Sequence, residues 1–460
     1  MMDVGDTTWL GKQTSAPDIA LRDGSRVAVI GGGPAGSLFG YFLMTMAERI
    51  GIEVTADLYE PRDFAKPGPH GCNMCGGIVS ESLVQNLLTE GIDLPSTVVQ
   101  RGIDSYVLHT DLGSVRIRTP LQEKRIAAIH RGSGPRNVQQ IKWDSFDGYL
   151  QRLAAEKGVH LIHQIVDEIG WNDGHPVLKT RDGGHAQYDL VTVAVGVNGR
   201  SLKLSGHDGF QYRPPQTTKT FIREYYLGEE TVDRAIGSSM HVFLLNLPRL
   251  EFAAIIPKGD CVTVCLLGED IDRKMVTAFL ESPEVRSLLP ADVVADRGAC
   301  QCAPRMYTLG AVQPFADRIL FIGDCGVSRL YKDGIGAAYR TAKAAATTAV
   351  FQGISKRSFR RHFWPVCQAL NTDNKYGRLT FAVTSEIQKR GFARRALLRM
   401  TASEQAKKGR SQRMSRVLWD IFTGSEAYRN IIKRMLHPVF LGHLFWNLIA
   451  AAVPGRQRRQ

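Results

Sequence analysis

A strand that runs into Gly31-x-Gly33-x-x-Gly36 and straight on into an apolar helix leaves few folds open to this chain. The run Arg26-Val-Ala-Val-Ile30 is short, apolar and β-branched, the pattern of a parallel strand buried on both faces. The spacing predicts a helix from Ser37 to about Ile50 and a second strand from Glu53 to Glu60. Glycines at these positions permit the tight turn, the close approach of a pyrophosphate and the packing of helix on sheet. The helix N-terminus adds free N–H groups and the positive end of its dipole. Glu60 stands 24 residues beyond Gly36, near where an acidic acceptor for a ribose hydroxyl is expected. Gly31, Gly33, Pro34, Ala35, Gly36, Glu60 and Arg62 are the expected dinucleotide-binding residues on this side.

Composition excludes several other classes. With 43% apolar and 22% charged residues in 460, the chain is neither disordered nor fibrous. No run of about 20 apolar residues is present, so a conventional transmembrane helix is not expected. Residues 1–25 read as a flexible lead-in without the apolar core of a secretory signal, and the eight cysteines are sparse. Both features point to the cytoplasm.

The net charge of +13 is unevenly held. From residue 354 onward there are 22 Lys and Arg against 5 Asp and Glu, net +17, whereas residues 1–353 hold 36 against 40, net −4. Within the basic part, Val439–Val453 is a 15-residue apolar segment between Pro438 and Pro454. Arg429, Lys433 and Arg434 precede it, and Arg456, Arg458 and Arg459 follow. It is too short to span a bilayer, and an anionic membrane surface is its expected partner, making the protein a peripheral one. The competing reading is a core helix with a solvated basic face. Nucleic acid is not expected, because no recognised module with base-stacking aromatics accompanies the charge. Nothing in the sequence speaks to oligomeric state.

Further elements are expected at 144–158 (helix), 159–165 and 188–195 (strands), and 318–322 (buried strand), with a small-residue helix over 335–350. Between 210 and 300 the pattern alternates as strands do, at Phe243-Leu-Leu, Phe252–Ile256 and Cys261–Leu267. The expected architecture is α/β. A Rossmann-type domain covers 26–205 and 300–353, a β-rich substrate domain is inserted at 206–299, and a basic helical region follows at 354–460.

Two groups of residues carry a resemblance to known proteins. Ile319-Leu-Phe-Ile-Gly323-Asp324, followed by Asp333-Gly334-Ile335-Gly336, resembles the late Gly-Asp motif of the p-hydroxybenzoate-hydroxylase-like flavoproteins. The resemblance implies FAD as cofactor, with Asp324 accepting from its ribityl chain and Gly323, Gly334, Ile335 and Gly336 at the flavin end. Within that superfamily the chain is similar to the geranylgeranyl reductase group. Lys66 and Cys72-Asn-Met-Cys75-Gly76-Gly77 resemble their Cys-Gly-Gly segment, and Phe252-Ala-Ala-Ile-Ile-Pro257-Lys258-Gly resembles their lipid-pocket strand, with Ala254 for a Trp and Ile256 for a Phe. Asp420 to Tyr428 resembles a Phe-x-Gly-x-x-x-Tyr stretch of their helical tail. Trp143 stands where they have an Arg, and Asn198 where an Asp is usual.

This likeness implies an FAD-dependent oxidoreductase that reduces C=C bonds of an isoprenoid or prenyl-lipid chain by hydride transfer. Cys75 would lie beside the flavin as the catalytic residue, with Gly76 and Gly77 against the ring. Phe252, Ala254, Ile256 and Pro257 would line the substrate pocket. A second Gly-x-Gly-x-x-Gly unit is missing, so the donor would be a transiently docked NAD(P)H, a ferredoxin or a quinol. Two alternatives stand beside this reading, a monooxygenase of an aromatic or quinone substrate and a membrane-docked electron carrier. The Trp-x-Trp-x-Ile-Pro motif of flavin-dependent halogenases is absent. Cys72 and Cys75 read as a pair of buried thiols, as a redox dithiol, or as half of a metal site with Cys300-x-Cys302; no His spacing supports the last, and no resident metal is expected.

Overall fold

The computed structural model describes residues 19–72, 75–119, 125–136, 142–199, 202–205, 210–291, 294, 299–407 and 412–452. The first 18 residues of the expected lead-in, Asn73 and Met74 between the paired cysteines, Arg200 and Ser201, and Val453 with the basic residues after it lie outside this set.

Ser25–Ile30 is the centre of a six-stranded sheet, flanked in parallel by Val54–Tyr59 and Leu190–Val193. Val159–Ile162 and Ile319–Phe321 continue it outward in parallel, and Phe315–Ala316 closes one edge antiparallel. Side chains alternate across a strand, so Val27 and Val29 meet helices while Ala28 and Ile30 meet a second, antiparallel sheet built around Val166–Asn172 and His175–Thr180. Cover on both faces is why the strand is apolar throughout.

The helix after the glycine turn, Pro34–Ile50, opens with a proline whose φ is already helical and closes at Gly51, φ 70°. There the N–H groups of Gly51 and Ile52 donate to the carbonyls of Glu48 and Ala47. Gly334–Phe351 packs along it, presenting the small side chains of Ala338, Ala342, Ala345 and Ala349. Phe146–Glu156 lies on the other flank, capped by Ser145, whose Oγ accepts from the Gly148 N–H at 3.0 Å.

A second large sheet has seven strands, in the order Cys300–Cys302, Phe221–Tyr226, Cys261–Gly268, Leu250–Pro257, Ser239–Phe243, Ser105–Thr110, Gly113–Arg118. Its pairing crosses the boundaries expected from the sequence. The hairpin Ser105–Arg118 falls within the stretch assigned to the first domain, yet it pairs in parallel with Ser239–Phe243. The strand expected to begin at Phe243 instead ends there. Its polar residues hid it, and they find partners across the pairing, Ser239 in the Ser105 hydroxyl at 2.7 Å and His241, through Nδ1, in His109 at 2.8 Å.

The basic region after residue 353 is helical, as expected, and most of it belongs to the core. Trp364–Lys389, Gly391–Gln405, Arg413–Thr423 and Tyr428–Met435 cover one face of the seven-stranded sheet. Phe381, Leu397, Met400, Trp419 and Phe422 join Tyr106, Phe252 and Ala254 in one buried cluster. The apolar segment forms the helix Pro438–Ala452, which packs on Gly391–Gln405. Among the described residues no single helix is long and apolar enough to cross a membrane. Tyr428–Met435 and Pro438–Ala452 meet that test only together, bent by 67°.

Trp419 tests the core role of these helices, since it is buried with its ring edge-on to Tyr106 at 5.0 Å. Trp419→Ala should cost about 3–5 kcal/mol in a urea titration followed by circular dichroism. A loss within about 0.5 kcal/mol, as for a surface substitution, would show that the helices do not support the sheet.

Candidate active site

A cavity of about 560 Å³ opens at the carboxyl ends of the parallel strands and runs to the seven-stranded sheet. Crevices of open parallel sheets form there because the chain leaves neighbouring strands in different directions. Ile30 passes into the Gly31 turn, and Val193 into the turn Ala194–Gly199 beside it. Gly31 holds φ 105°, and a Cβ there would stand 2.6 Å from the Ala194 carbonyl oxygen. On Gly36 a Cβ would collide with the Gly31 carbonyl, so this glycine packs helix on strand and does not line the cavity.

Gly31, Gly33, Pro34 and Ala35 do line it, as do Glu60 and Arg62. The helix Pro34–Ile50 has no side-chain cap, so its first-turn N–H groups remain for a ligand. Glu60 is held by two backbone donors, the Gly32 N–H to Oε2 at 2.9 Å and the Arg62 N–H to Oε1 at 3.0 Å. Burial raises its carboxyl above the ordinary value, and these donors oppose the rise.

A second uncapped helix points into the same cavity. Gly334–Phe351 starts after Asp333, whose φ of 54° is left-handed and whose carboxylate accepts from the Ser80 hydroxyl at 2.8 Å and from Arg340 at 2.8 Å. Gly334 and Ile335 line the cavity with Asp324. Gly323 and Gly336 stand behind the wall. Burial raises the Asp324 carboxyl, with Ser328 and Arg131 opposing. Asn198 ties the neighbouring turn to Arg305, donating to its carbonyl at 2.9 Å and accepting from its N–H at 2.7 Å. An ionised Asp could not make both bonds.

The donors and acceptors fit a dinucleotide. Two sets of helix N-terminal amides suit a pyrophosphate and a polar ring edge, and two carboxylates suit hydroxyl groups.

The far end of the cavity is apolar. Phe252, Ala254 and Ile256 face it at period two, which turns Pro257, expected in the pocket, out of the lining. Cys265 and Leu267 come from the next strand, and Phe422 and Thr423 from a C-terminal helix. Lys332 enters from the segment before Asp333, its Nζ 4.1 Å from the centre of the Phe252 ring and 5.8 Å from that of Phe422. Burial lowers its pKa to about 7.

Cys75, Gly76 and Gly77 line the boundary between the two ends. The Gly77 N–H donates to Cys75 Sγ at 3.4 Å. Behind them lies a buried polar cluster that the sequence did not reveal. Lys258 Nζ donates to Glu224 Oε1 at 3.2 Å and stands 2.9 Å from His130 Nδ1, and Thr263 Oγ1 donates to Glu224 at 3.0 Å. Burial, with Lys258 beside it, lowers the His130 pKa. A neutral ring can accept from Lys258 at Nδ1 and turn its Nε2–H toward Cys261 Sγ, 3.4 Å away. Burial works to raise the Glu224 carboxyl, but the Lys258 ammonium beside it outweighs burial and holds the group well below the usual range.

Cys72 and Cys75 share a small cavity of about 20 Å³ with Cys300, Cys302, His130 and Glu224, a convergence that no spacing could predict. Among the described residues no three His, Cys, Asp or Glu are placed to hold a metal ion.

Arg131 was also missed. Its guanidinium forks onto Asp147 at 2.9 and 2.8 Å while lining the main cavity. Burial opposes its charge, and Asp147 more than compensates, raising its pKa. Sequence reasoning looked for an arginine just before the Phe146-Asp147 helix and found Trp143, which instead covers Gly259. The only signal was an unassigned Arg in the loop upstream.

No family model and no curated protein matches the sequence. Solved structures do match in fold. A variant of 2-methyl-3-hydroxypyridine-5-carboxylic acid oxygenase aligns with a TM-score of 0.55 at 14% identity, covering 80% of this chain and 93% of its own. An HpxO variant of Klebsiella pneumoniae complexed with FAD gives 0.56 at 15%, covering 87% and 99%. A variant of the halogenase PltM in complex with FAD gives 0.55 at 11%, covering 93% and 91%. At these identities the likeness is one of fold, a fold shared with an oxygenase and with two FAD-bound proteins, one of them a halogenase. The similarity to geranylgeranyl reductases rests on the sequence motifs alone.

The Lys258 cluster has a measurable consequence. Glu224→Gln should lower stability by about 3–5 kcal/mol at pH 7, because it leaves Lys258 buried without its counter-ion. A carboxyl whose native pKa is depressed contributes above its unfolded value, about 4.3, and loses that contribution as the pH falls. The gap between wild type and variant should therefore narrow in urea titrations below about pH 4. An unchanged gap at low pH would mean that Glu224 is not the charged partner.

Proposed function

We propose that the protein is an FAD-dependent oxidoreductase that oxygenates an apolar, aromatic-bodied substrate. One observation carries this reading: a single cavity joins two uncapped helix N-termini, Glu60 and Asp324 to an apolar end walled by Phe252 and Phe422. The fold shared with an oxygenase and with FAD-bound proteins supports it.

FAD held in this cavity would supply the redox chemistry of an oxygenation, with dioxygen as the oxygen source and a transient donor as the reductant. The protein's residues hold and orient. Amides of the Gly31–Ala35 turn would hold the pyrophosphate, and Glu60 the adenosine ribose. Asp324 would accept from the ribityl chain, and the amides of Gly334 and Ile335 would meet the polar edge of the ring. Ala254, Ile256 and Leu267 exclude water and leave few polar groups to orient the substrate.

A second reading, reduction of a C=C bond in an isoprenoid chain, is favoured by Cys75, which lines the cavity between its two ends. Product mass separates the two. Cells carrying the gene should accumulate a metabolite heavier by one oxygen; a gain of two hydrogens that falls with Cys75→Ser would favour reduction. The purified protein should be yellow and release FAD on acid precipitation. A colourless protein that takes up no FAD on reconstitution rules out both readings.

We also propose that the helix Pro438–Ala452 lays the protein on an anionic membrane surface. It carries no charged residue. Phe440 is buried at 2% exposure on one side, while Phe445 at 65% and Trp446 at 68% stand open on the other, with Leu441 and Ile449. The outer stripe is apolar enough to enter the interface, and its length favours lying flat. Arg395, Arg399, Arg429 and Lys433 are exposed on the helices beside it, with no ion pair among the described residues. Each cation near an anionic leaflet adds about 1 kcal/mol. The protein should float with phosphatidylcholine–phosphatidylglycerol vesicles and not with phosphatidylcholine alone. Phe445→Glu with Trp446→Glu should abolish flotation and leave the FAD spectrum unchanged. Equal flotation on both vesicles, or dimers that the two substitutions dissociate, would overturn the assignment.

A further inference from the structure

We propose that Lys332 recognises an acidic group on the substrate, so that the cavity takes an apolar molecule bearing one carboxylate, phenolate or enolate. The inference deepens the flavoprotein reading and rests on it. Two lysines lie deep in this part of the molecule, and the contrast between them is informative. Lys258 is saturated by Glu224 and His130. Lys332 meets the faces of Phe252 and Phe422, and among the described residues no carboxylate pairs with it. The titratable group facing it is the Cys265 thiol, which burial pushes up to about 12 and so keeps neutral.

The backbone holds Lys332 in this position against its own preference. Tyr331 at φ 58° and Asp333 at φ 54° are both left-handed, a conformation that side chains rarely adopt without compensation. Compensation comes from both sides. The Asn374 side chain accepts from the Leu330 N–H at 2.9 Å, and the Tyr428 hydroxyl donates to the Leu330 carbonyl at 2.6 Å. Asp333 is fixed by Ser80 and Arg340. A half-buried cation against apolar walls and without a counter-ion is costly, and a ligand anion would lower that cost on binding. An acidic substrate that enters protonated would give its proton to the Lys332 amine, and one that enters ionised would meet the ammonium; the same ion pair results.

The FAD-loaded protein can be titrated with a naphthalene carboxylate and with its carboxamide, following the flavin absorbance. The carboxylate should bind at least about tenfold more tightly, a preference that Lys332→Gln removes and Lys332→Arg retains. FAD content is read first in every protein. Wild type that holds no FAD sinks the flavoprotein reading. Retained FAD with equal binding of the two ligands, no response to the carboxylate, or an undiminished preference in Lys332→Gln overturns the assignment of Lys332 alone.

Discussion

The close contact between the helices Pro34–Ile50 and Gly334–Phe351 organises everything around the site. The first begins just after the strand Ser25–Ile30, the second beyond a loop that follows Ile319–Phe321, and both lack a side-chain cap. Lying side by side, they deliver two sets of unsatisfied N–H groups to one cavity. Only small side chains allow that approach, and the second helix supplies alanines along the shared face. A larger residue there would part the helices and separate the two halves of the site.

Closing the other end of the cavity is a task shared by distant segments. The seven-stranded sheet provides one wall through Phe252, Ala254 and Ile256, and the C-terminal helices provide Phe422. Arg329 ties the C-terminal helices to the segment before Asp333, donating to the Gly424 carbonyl at 2.6 Å and to the Glu426 carbonyl, with its guanidinium over the Tyr428 ring. The same segment carries the strained turn at Lys332. Packing that closes this end thus also sets the position of Lys332. A region that looks like a charged tail in composition is structural for most of its length, and its last helix leaves an apolar face uncovered.

How much could be read beforehand depended on whether a residue's role was local. The glycine turn was legible because strand, turn and helix are contiguous, and Glu60 because one helix and one strand separate it from Gly36. Asp324 was legible through its likeness to a known motif. Cys75, Phe252, Ala254 and Ile256 do line the cavity; Pro257 does not, since the strand's period of two turns it to the other face. Ser239–Phe243 was missed because Ser239 and His241 break the apolar pattern, and their partners lie on a strand more than a hundred residues earlier.

By itself the sequence determined the α/β class, the strand–glycine turn–helix unit and the order of the two glycine motifs. These follow from backbone sterics and short-range periodicity, which act within a few residues. Tertiary structure alone decided that Arg131 forks onto Asp147, that Lys258 is neutralised by Glu224 while Lys332 is not, and that four cysteines meet at one small cavity. Each depends on desolvation and on partners from different sheets and helices. A charge reads the same in a sequence whether or not a counter-ion is folded against it.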